Sequence, residues 1–117
     1  MTAPADGRHP VEGRHPVEGL DEVVHQRARL GILAVLVEAG RADFSYIKGT
    51  LGLTDGNLSR HLQVLDDAAL VQVDKTFDGR RPRTWVSITK AGRKALAAEV
   101  AALRDIIARV SVGDDDE

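Results

Sequence analysis

A switch in hydrophobic periodicity near residue 70 sets the fold class of this 117-residue chain. Before it, apolar residues such as Leu58, Leu62 and Leu65 recur every three or four positions, which is the spacing of one helix face. After it, Val71 and Val73 alternate with polar residues, as in a half-buried β-strand. The sequence therefore predicts a mainly α-helical domain with a small β-hairpin, which is an α+β architecture.

Four helices are predicted from this periodicity and from capping residues. Their expected ranges are about Asp21–Ala39, Ser45–Leu51, Thr54–Ala69 and Thr89–Val110, with Gly40 ending the first. Ser45, Thr54 and Thr89 are the expected N-caps because their hydroxyls can accept a backbone N–H. The first helix is apolar nearly all round, so we expect burial on more than one side, with a partner subunit as the second cover.

The hairpin has a cationic turn. One strand is expected around Val71–Phe77 and a second around Thr84–Ile88, and residues 78–83 between them read DGRRPR. Clustered cations repel one another unless an anion lies nearby, and DNA phosphates or a minor groove would supply one.

Two short helices joined by a tight turn at Gly52 and followed by a basic hairpin have the order of a winged helix-turn-helix. In that arrangement the second helix enters the major groove of DNA and the hairpin, or wing, reaches the backbone or minor groove. The recognition helix is expected at about 54–69 and the wing at 78–84. The expected DNA-contacting residues are Lys48, Thr54, Asp55, Gly56, Asn57, Ser59, Arg60, Gln63, Lys75, Arg80, Arg81 and Arg83.

These residue types suit base recognition, since Asn and Gln pair with adenine, Arg pairs with guanine and Ser is adaptable. An ordinary solvated helix face would carry similar residues, so the helix alone does not establish the function. The net charge of −2 looks unfavourable for a DNA-binding protein. However, residues 20–113 hold 14 Lys and Arg against 11 Asp and Glu, so the acidity comes from the chain ends.

The fourth helix carries an apolar seam at intervals of four and three residues, which is typical of a coiled coil. A helix that packs on its own domain gives the same pattern over two heptads. We expect a homodimer whose interface includes Leu30, Leu33, Leu96, Val100, Leu103, Ile107 and Val110.

The chain ends are expected to lie outside the folded domain. Residues 1–19 contain the direct repeat GRHPVE and predict a disordered arm, either a solvated duplication or an additional phosphate contact. Residues 20–110 form the domain, and residues 111–117 form an acidic tail.

Several classes of site and location are excluded. The chain has no Cys, no nucleotide-binding glycine motif and no paired carboxylates at a catalytic spacing, so we expect no enzyme, metal site or cofactor. His25 and His61 are interpreted as structural, and Trp85 as packed at the wing base. No apolar run could span a bilayer, so a cytoplasmic protein without membrane contact is expected.

Residues 53–65 (LTDGNLSRHLQVL), the following DDAALV, and residues 79–84 (GRRPRT) resemble the small winged helix regulators close to the MarR and ArsR families. Residues 29–33 (RLGIL) and 88–96 (ITKAGRKAL) fit the same pattern. The resemblance implies a homodimer built from terminal helices on a pseudo-palindromic operator, with base contacts from Asn57, Ser59 and Arg60. Many such regulators are repressors released by a small ligand. The Cys ligands of the metal-sensing relatives are absent here.

The sequence therefore predicts a dimeric, sequence-specific transcriptional regulator, most simply a repressor, bound to double-stranded DNA. The operator, the controlled genes and any small-molecule effector stay open. The alternative is a winged helix module used for protein contact, or as a non-specific accessory of the nucleoid. An operator-selection experiment distinguishes the two, because only the regulator enriches an inverted repeat.

Overall fold

The structure, a computed structural model, describes residues 15–111 and has the predicted α+β architecture. A short 3-10 helix, Pro16–Gly19, is followed by seven elements in chain order. The helices are α1 (Arg27–Ala39), α2 (Phe44–Leu51), α3 (Asp55–Asp67) and α4 (Lys90–Val110), and the strands are β1 (Arg41–Asp43), β2 (Val71–Asp78) and β3 (Arg81–Ile88).

The central helix α1 holds the core together. Ile32, Leu33, Val35 and Leu36 are all buried within the single chain, and α1 contacts the other three helices and strands β1 and β3. The prediction that α1 is covered on more than one side is confirmed. The prediction that a partner subunit supplies the second cover is wrong for these four residues, because the chain wraps its own elements around the helix.

Helix α1 begins at Arg27 rather than at Asp21. The Asp21 carboxylate accepts the backbone N–H of Val23 at 2.7 Å and closes a separate turn. The Gln26 side chain then caps α1 by accepting the backbone N–H of Arg29 at 2.9 Å. The segment between these two caps cannot continue the helix because Gln26 is extended, with φ −141°.

Helices α2 and α3 form the predicted helix-turn-helix. Asp43, not Ser45, caps α2, accepting the backbone N–H of Tyr46 at 2.8 Å, so the cap lies two residues earlier than expected and α2 begins at Phe44. Gly52 ends α2 in the left-handed conformation, with φ 65°, which glycine adopts without steric cost. Thr54 caps α3 as predicted, accepting the backbone N–H of Asn57 at 3.2 Å.

The sheet contains one strand that the alternation did not reveal. The strand order is β1-β3-β2, with both pairings antiparallel. Strand β1 has only three residues, too few for an alternating pattern to be recognised. The hairpin of β2 and β3 turns at Gly79, whose φ of 68° suits a tight turn.

The chain ends differ in part from expectation. The predicted disordered arm lies outside the described residues over 1–14, and the predicted acidic tail does so over 112–117. The remainder of the arm is folded here, because Pro16–Gly19 form the 3-10 helix and pack against α4. Within residues 15–111, no helix combines the length and apolarity needed to cross a bilayer.

A buried glycine lets α4 dock onto the body of the domain. The backbone N–H of Thr89 donates to the carbonyl of Leu70 at 3.0 Å, just before α4 begins. A Cβ atom on Gly92 would lie 2.1 Å from that same carbonyl oxygen and 2.7 Å from a side-chain carbon of Ile88. Only glycine permits this close approach.

We expect Gly92→Ala to destabilise the protein by about 3 kcal/mol or more, since backbone would have to move to accept the methyl group. The matched control is Gly49→Ala in α2, where an added Cβ meets nothing within 4 Å. That change should stabilise the protein by about 0.5–1 kcal/mol through helix propensity. Urea unfolding at one fixed protein concentration measures both variants. Equal midpoints for the two would contradict the proposed packing.

Candidate nucleic-acid interface

The outward face of α3 follows from the burial of its other face. Leu58, Leu62 and Leu65 are buried against the core, as predicted. The residues that remain exposed on α3 include all of its predicted DNA contacts, namely Asp55, Gly56, Asn57, Ser59, Arg60 and Gln63. The face therefore offers amide, hydroxyl and guanidinium groups, which are the groups that read base edges.

Hydrogen bonds between neighbouring side chains order this face. Arg60 Nη1 donates to Asn57 Oδ1 at 3.4 Å, and Gln63 Nε2 donates to Asp67 Oδ1 at 2.8 Å. Such exposed bonds are worth little in net free energy because water competes for them. They can therefore be exchanged for contacts with a ligand.

The ammonium group of Lys48, predicted to contact DNA, already has a partner within the protein. Its Nζ lies 2.8 Å from Asp55 Oδ1, so an ion pair links helix α2 to the first turn of α3. Both side chains are substantially exposed, and such a pair contributes little to stability. A phosphate would compete with Asp55 for the ammonium group.

A groove joins α3 to the hairpin, which we call the wing. Its volume is about 480 Å³, and Ser59 and Gln63 line one side while Lys75 lines the other. Lys75 lies two residues from Val73, so both project from the sheet face that packs towards α3. The predicted contacts from α3 and from β2 thus lie on one continuous surface.

The tip of the wing carries two exposed cations. Arg80 and Arg81 lie at the turn, and neither forms an ion pair with another residue in the range 15–111. They are the cations of the wing that remain available to an anionic ligand.

Arg83 occupies a different position from the one predicted. Its Nε and Nη2 lie 3.0 and 2.8 Å from Asp43 Oδ2, so the carboxylate already holds the guanidinium. Arg83 and Arg41 both lie over the ring of Trp85, at 4.7 and 4.1 Å from its centroid. Arg83 therefore braces the wing base, and its predicted contact with DNA stays a prediction, since its side chain is paired but still 45% exposed. Trp85 lies at the wing base as expected.

Asp43 is the residue of this region that the sequence interpretation missed. The backbone N–H of Tyr46 and then the guanidinium of Arg83 hold the pKa of the Asp43 carboxyl below its usual range. An aspartate three residues before Tyr46 and directly before an apolar residue is a signal for an N-cap, and could have identified it. Its bond to a residue 40 positions away leaves no local signal.

The two histidines of interest have structural partners. His61 Nδ1 lies 3.2 Å from Arg29 Nη1, and burial together with the charges of Arg29 and Arg60 lowers the pKa of His61. A permanently charged guanidinium can only donate, so the ring accepts at this atom. His25 Nδ1 lies 2.5 Å from Oε2 of Glu99, a residue of α4 that is buried. The other carboxylate oxygen of Glu99, Oε1, accepts the backbone N–H of Asp21.

The residues predicted for a dimer interface divide into three groups. Leu33 is fully buried inside the chain, so its assignment to an interface is wrong. Leu30, Leu96 and Leu103 are half-buried. The exposed members are Val100, Ile107 and Val110, with 36%, 60% and 71% of their surface accessible.

An apolar groove of about 390 Å³ runs between the end of α1 and α4. Val37 of α1 and Leu96 and Val100 of α4 line it, with Arg93 and Arg104 at its edge. Val37 is itself exposed, so the apolar surface of the α4 seam extends onto α1.

The sequence of this chain is similar to a known domain family and to an uncharacterised protein. A family model described as a winged helix DNA-binding domain matches residues 28–107. The chain is 36% identical over 74 residues to an uncharacterised protein of Methanocaldococcus jannaschii, spanning 63% of this chain and 80% of that protein.

Two solved structures share the fold. A transcriptional regulator homologue of Pyrococcus horikoshii is 31% identical, with 85% of this chain and 100% of that chain covered and a TM-score of 0.78. The transcriptional regulator MosR of M. tuberculosis, solved in complex with DNA, is 25% identical, with 82% and 68% covered and a TM-score of 0.64. The resemblance to winged helix regulators is thus confirmed, and the chain belongs to the winged helix DNA-binding domain family.

Proposed function

We propose that this protein is a sequence-specific transcriptional regulator that binds double-stranded DNA as a homodimer. The observation that carries the proposal is the continuity of two features. The hydrogen-bonding face of α3 joins, through the groove at Lys75, a wing whose tip holds two exposed arginines. Surfaces of this kind combine base readout with phosphate neutralisation.

In this proposal α3 lies in the major groove. Arg60 pairs with guanine, Asn57 and Gln63 pair with adenine, and Ser59 adapts to either. Gly56 lets the backbone approach a phosphate because it has no side chain, and apart from its chain neighbours and its own helix backbone no atom of the described residues lies within 4 Å of the position that a Cβ would take. Thr54 and Asp55 stand at the start of the helix, and Lys48 moves from Asp55 to a phosphate on binding.

The wing supplies the second set of contacts. Arg80 and Arg81 reach the DNA backbone or the minor groove beside the major-groove site. Lys75 neutralises a phosphate of the DNA strand that passes over the protein groove between α3 and the wing. Arg83 takes no direct part in this proposal, because two of its nitrogens lie against the half-buried Asp43 carboxylate and its guanidinium stacks on Trp85, whereas the Lys48–Asp55 pair is more exposed. It sets the angle of the wing relative to α2.

The two-fold symmetry of the complex comes from the apolar surface of α4 and the end of α1. Val100, Ile107 and Val110 are exposed on one side of α4, and Val37 continues that surface. Pairing these surfaces in two copies would present two recognition helices to half-sites about 10 base pairs apart, or a multiple of that distance. The operator is then a pseudo-palindrome.

Repression is the mode of action that we propose, by analogy with the relatives that the sequence resembles. A small-molecule effector would bind at the dimer surface if one exists. The competing interpretation is an accessory module that binds DNA without preference or contacts protein. Selection from a random duplex pool decides between them, since the regulator enriches an inverted repeat and the accessory module enriches none.

Replacing Arg60 with Ala should weaken binding to the selected operator by about 1–3 kcal/mol and relax the preference at one base pair of each half-site. The matched control is Lys94→Ala, which removes an exposed cation from α4. Fluorescence anisotropy with the operator and with single-substitution duplexes measures both effects. An unchanged base preference would remove Arg60 from the readout.

Replacing Arg80 and Arg81 together with Ala should weaken binding to every duplex, whatever its sequence. The slope of log affinity against log salt should become shallower by about 0.9 for each phosphate that the variant no longer neutralises. Arg109→Ala, which removes an exposed cation from α4, serves as the control. A slope identical to that of the wild type would show that neither arginine contacts phosphate.

Replacing Val100 and Ile107 together with Glu should yield monomers in sedimentation velocity, because the carboxylates would be buried unpaired at the proposed interface. Ala98→Glu is the control, since Ala98 is exposed and lies on the other side of α4 by helical spacing. An intact dimer in the double variant would place the interface elsewhere.

A further inference from the structure

The wing tip has an exposed apolar pair to which the proposed function assigns no role. Phe77 on β2 is 73% exposed, and its cross-strand partner in the register is Pro82 on β3, also exposed. The chain has only two Phe, and one of them stands in water at the end of a hairpin. A single exposed apolar side chain is ordinary, so its setting has to show whether it has a role.

The pair faces the same side as the core and α3. Val71 and Val73 project from β2 towards the interior, and the alternation continues through Lys75 to Phe77. Phe77 therefore extends the inner face of the sheet beyond the point where the core ends. Its side chain projects on the side of the sheet where DNA would lie against α3 and the wing in the proposed complex.

Cations border this apolar pair. Lys75 precedes Phe77 by two residues on the same sheet face, and Arg80 lies exposed in the turn that joins Asp78 to Arg81. An apolar surface bounded by cations is complementary to the minor groove, where phosphates form the rims and sugars and base edges form the walls and floor.

We propose that Phe77, supported by Pro82, is inserted into the minor groove and makes the wing sensitive to the base step beneath it. Apolar side chains that enter this groove unstack flexible steps such as TA more easily than stiff ones. Phe77 is then a specificity-determining residue that reads DNA deformability. The inference rests on the proposed binding of DNA by α3 and the wing.

The test uses duplexes enriched from a random pool that keep both half-sites and differ at the step beneath the wing. One duplex carries TA there, the other carries GC, and 2-aminopurine beside the step reports unstacking. The variants are Phe77→Ala and the conservative Phe77→Leu. Thr76→Ser is the matched control, because Thr76 is the adjacent residue and projects from the opposite sheet face, and the change keeps the hydroxyl that donates to the carbonyl of Arg83 at 3.3 Å.

We expect the wild type to prefer TA and to raise the 2-aminopurine fluorescence. Phe77→Ala should bind about tenfold more weakly and lose both effects, while its salt slope stays unchanged because no charge is removed. Phe77→Leu should retain most of the preference, and Thr76→Ser should retain all of it.

Two results would overturn the inference. One is that Phe77→Ala binds with the same affinity as the wild type and shows the same preference for TA over GC at the step beneath the wing. The other is an altered sedimentation coefficient in Phe77→Ala, which would assign the side chain to a contact between two copies. In either case Arg60-dependent selectivity would leave the proposed function standing, whereas a wild-type protein that binds no duplex would remove both.

Discussion

The surface that this protein presents depends on the burial of one leucine stripe. Leu58, Leu62 and Leu65 of α3 pack into the same core as Leu36 of α1 and Ile47 of α2. Each buried leucine contributes on the order of 1.5–3 kcal/mol, so rotating α3 to expose the stripe is strongly unfavourable. The outward direction of Arg60, and of the other polar residues of α3, is therefore fixed by packing and not by the polar residues themselves.

A second constraint fixes the wing relative to α3. Asp43 ends β1, caps α2 and holds Arg83 of β3, so one carboxylate links the helix-turn-helix to the hairpin. Trp85 adds a surface on which two arginines stack. This arrangement braces the wing base and pairs the charge of Arg83, while Arg80 and Arg81 hold charge at the tip that is unpaired within the described part of the chain.

The features that the sequence predicted well are those encoded by local periodicity and caps. The α3 stripe, the Thr54 cap, the hairpin and the full length of α4 all depend on residues within a few positions of one another. Two errors are local, namely the start of α1 and the cap of α2, and the others involve distant contacts. The bond between Asp43 and Arg83 and the role of Leu33 at the centre of the core depend on how elements pack, which periodicity does not encode.

The central claim is that α3 and the wing form one surface that attracts duplex DNA. A titration of purified full-length protein into a labelled random-sequence duplex, repeated across a series of salt concentrations from low ionic strength, tests it most directly. The account predicts binding at low salt that weakens linearly on a logarithmic plot as salt rises. An absence of binding to duplexes of any sequence at low ionic strength would contradict it.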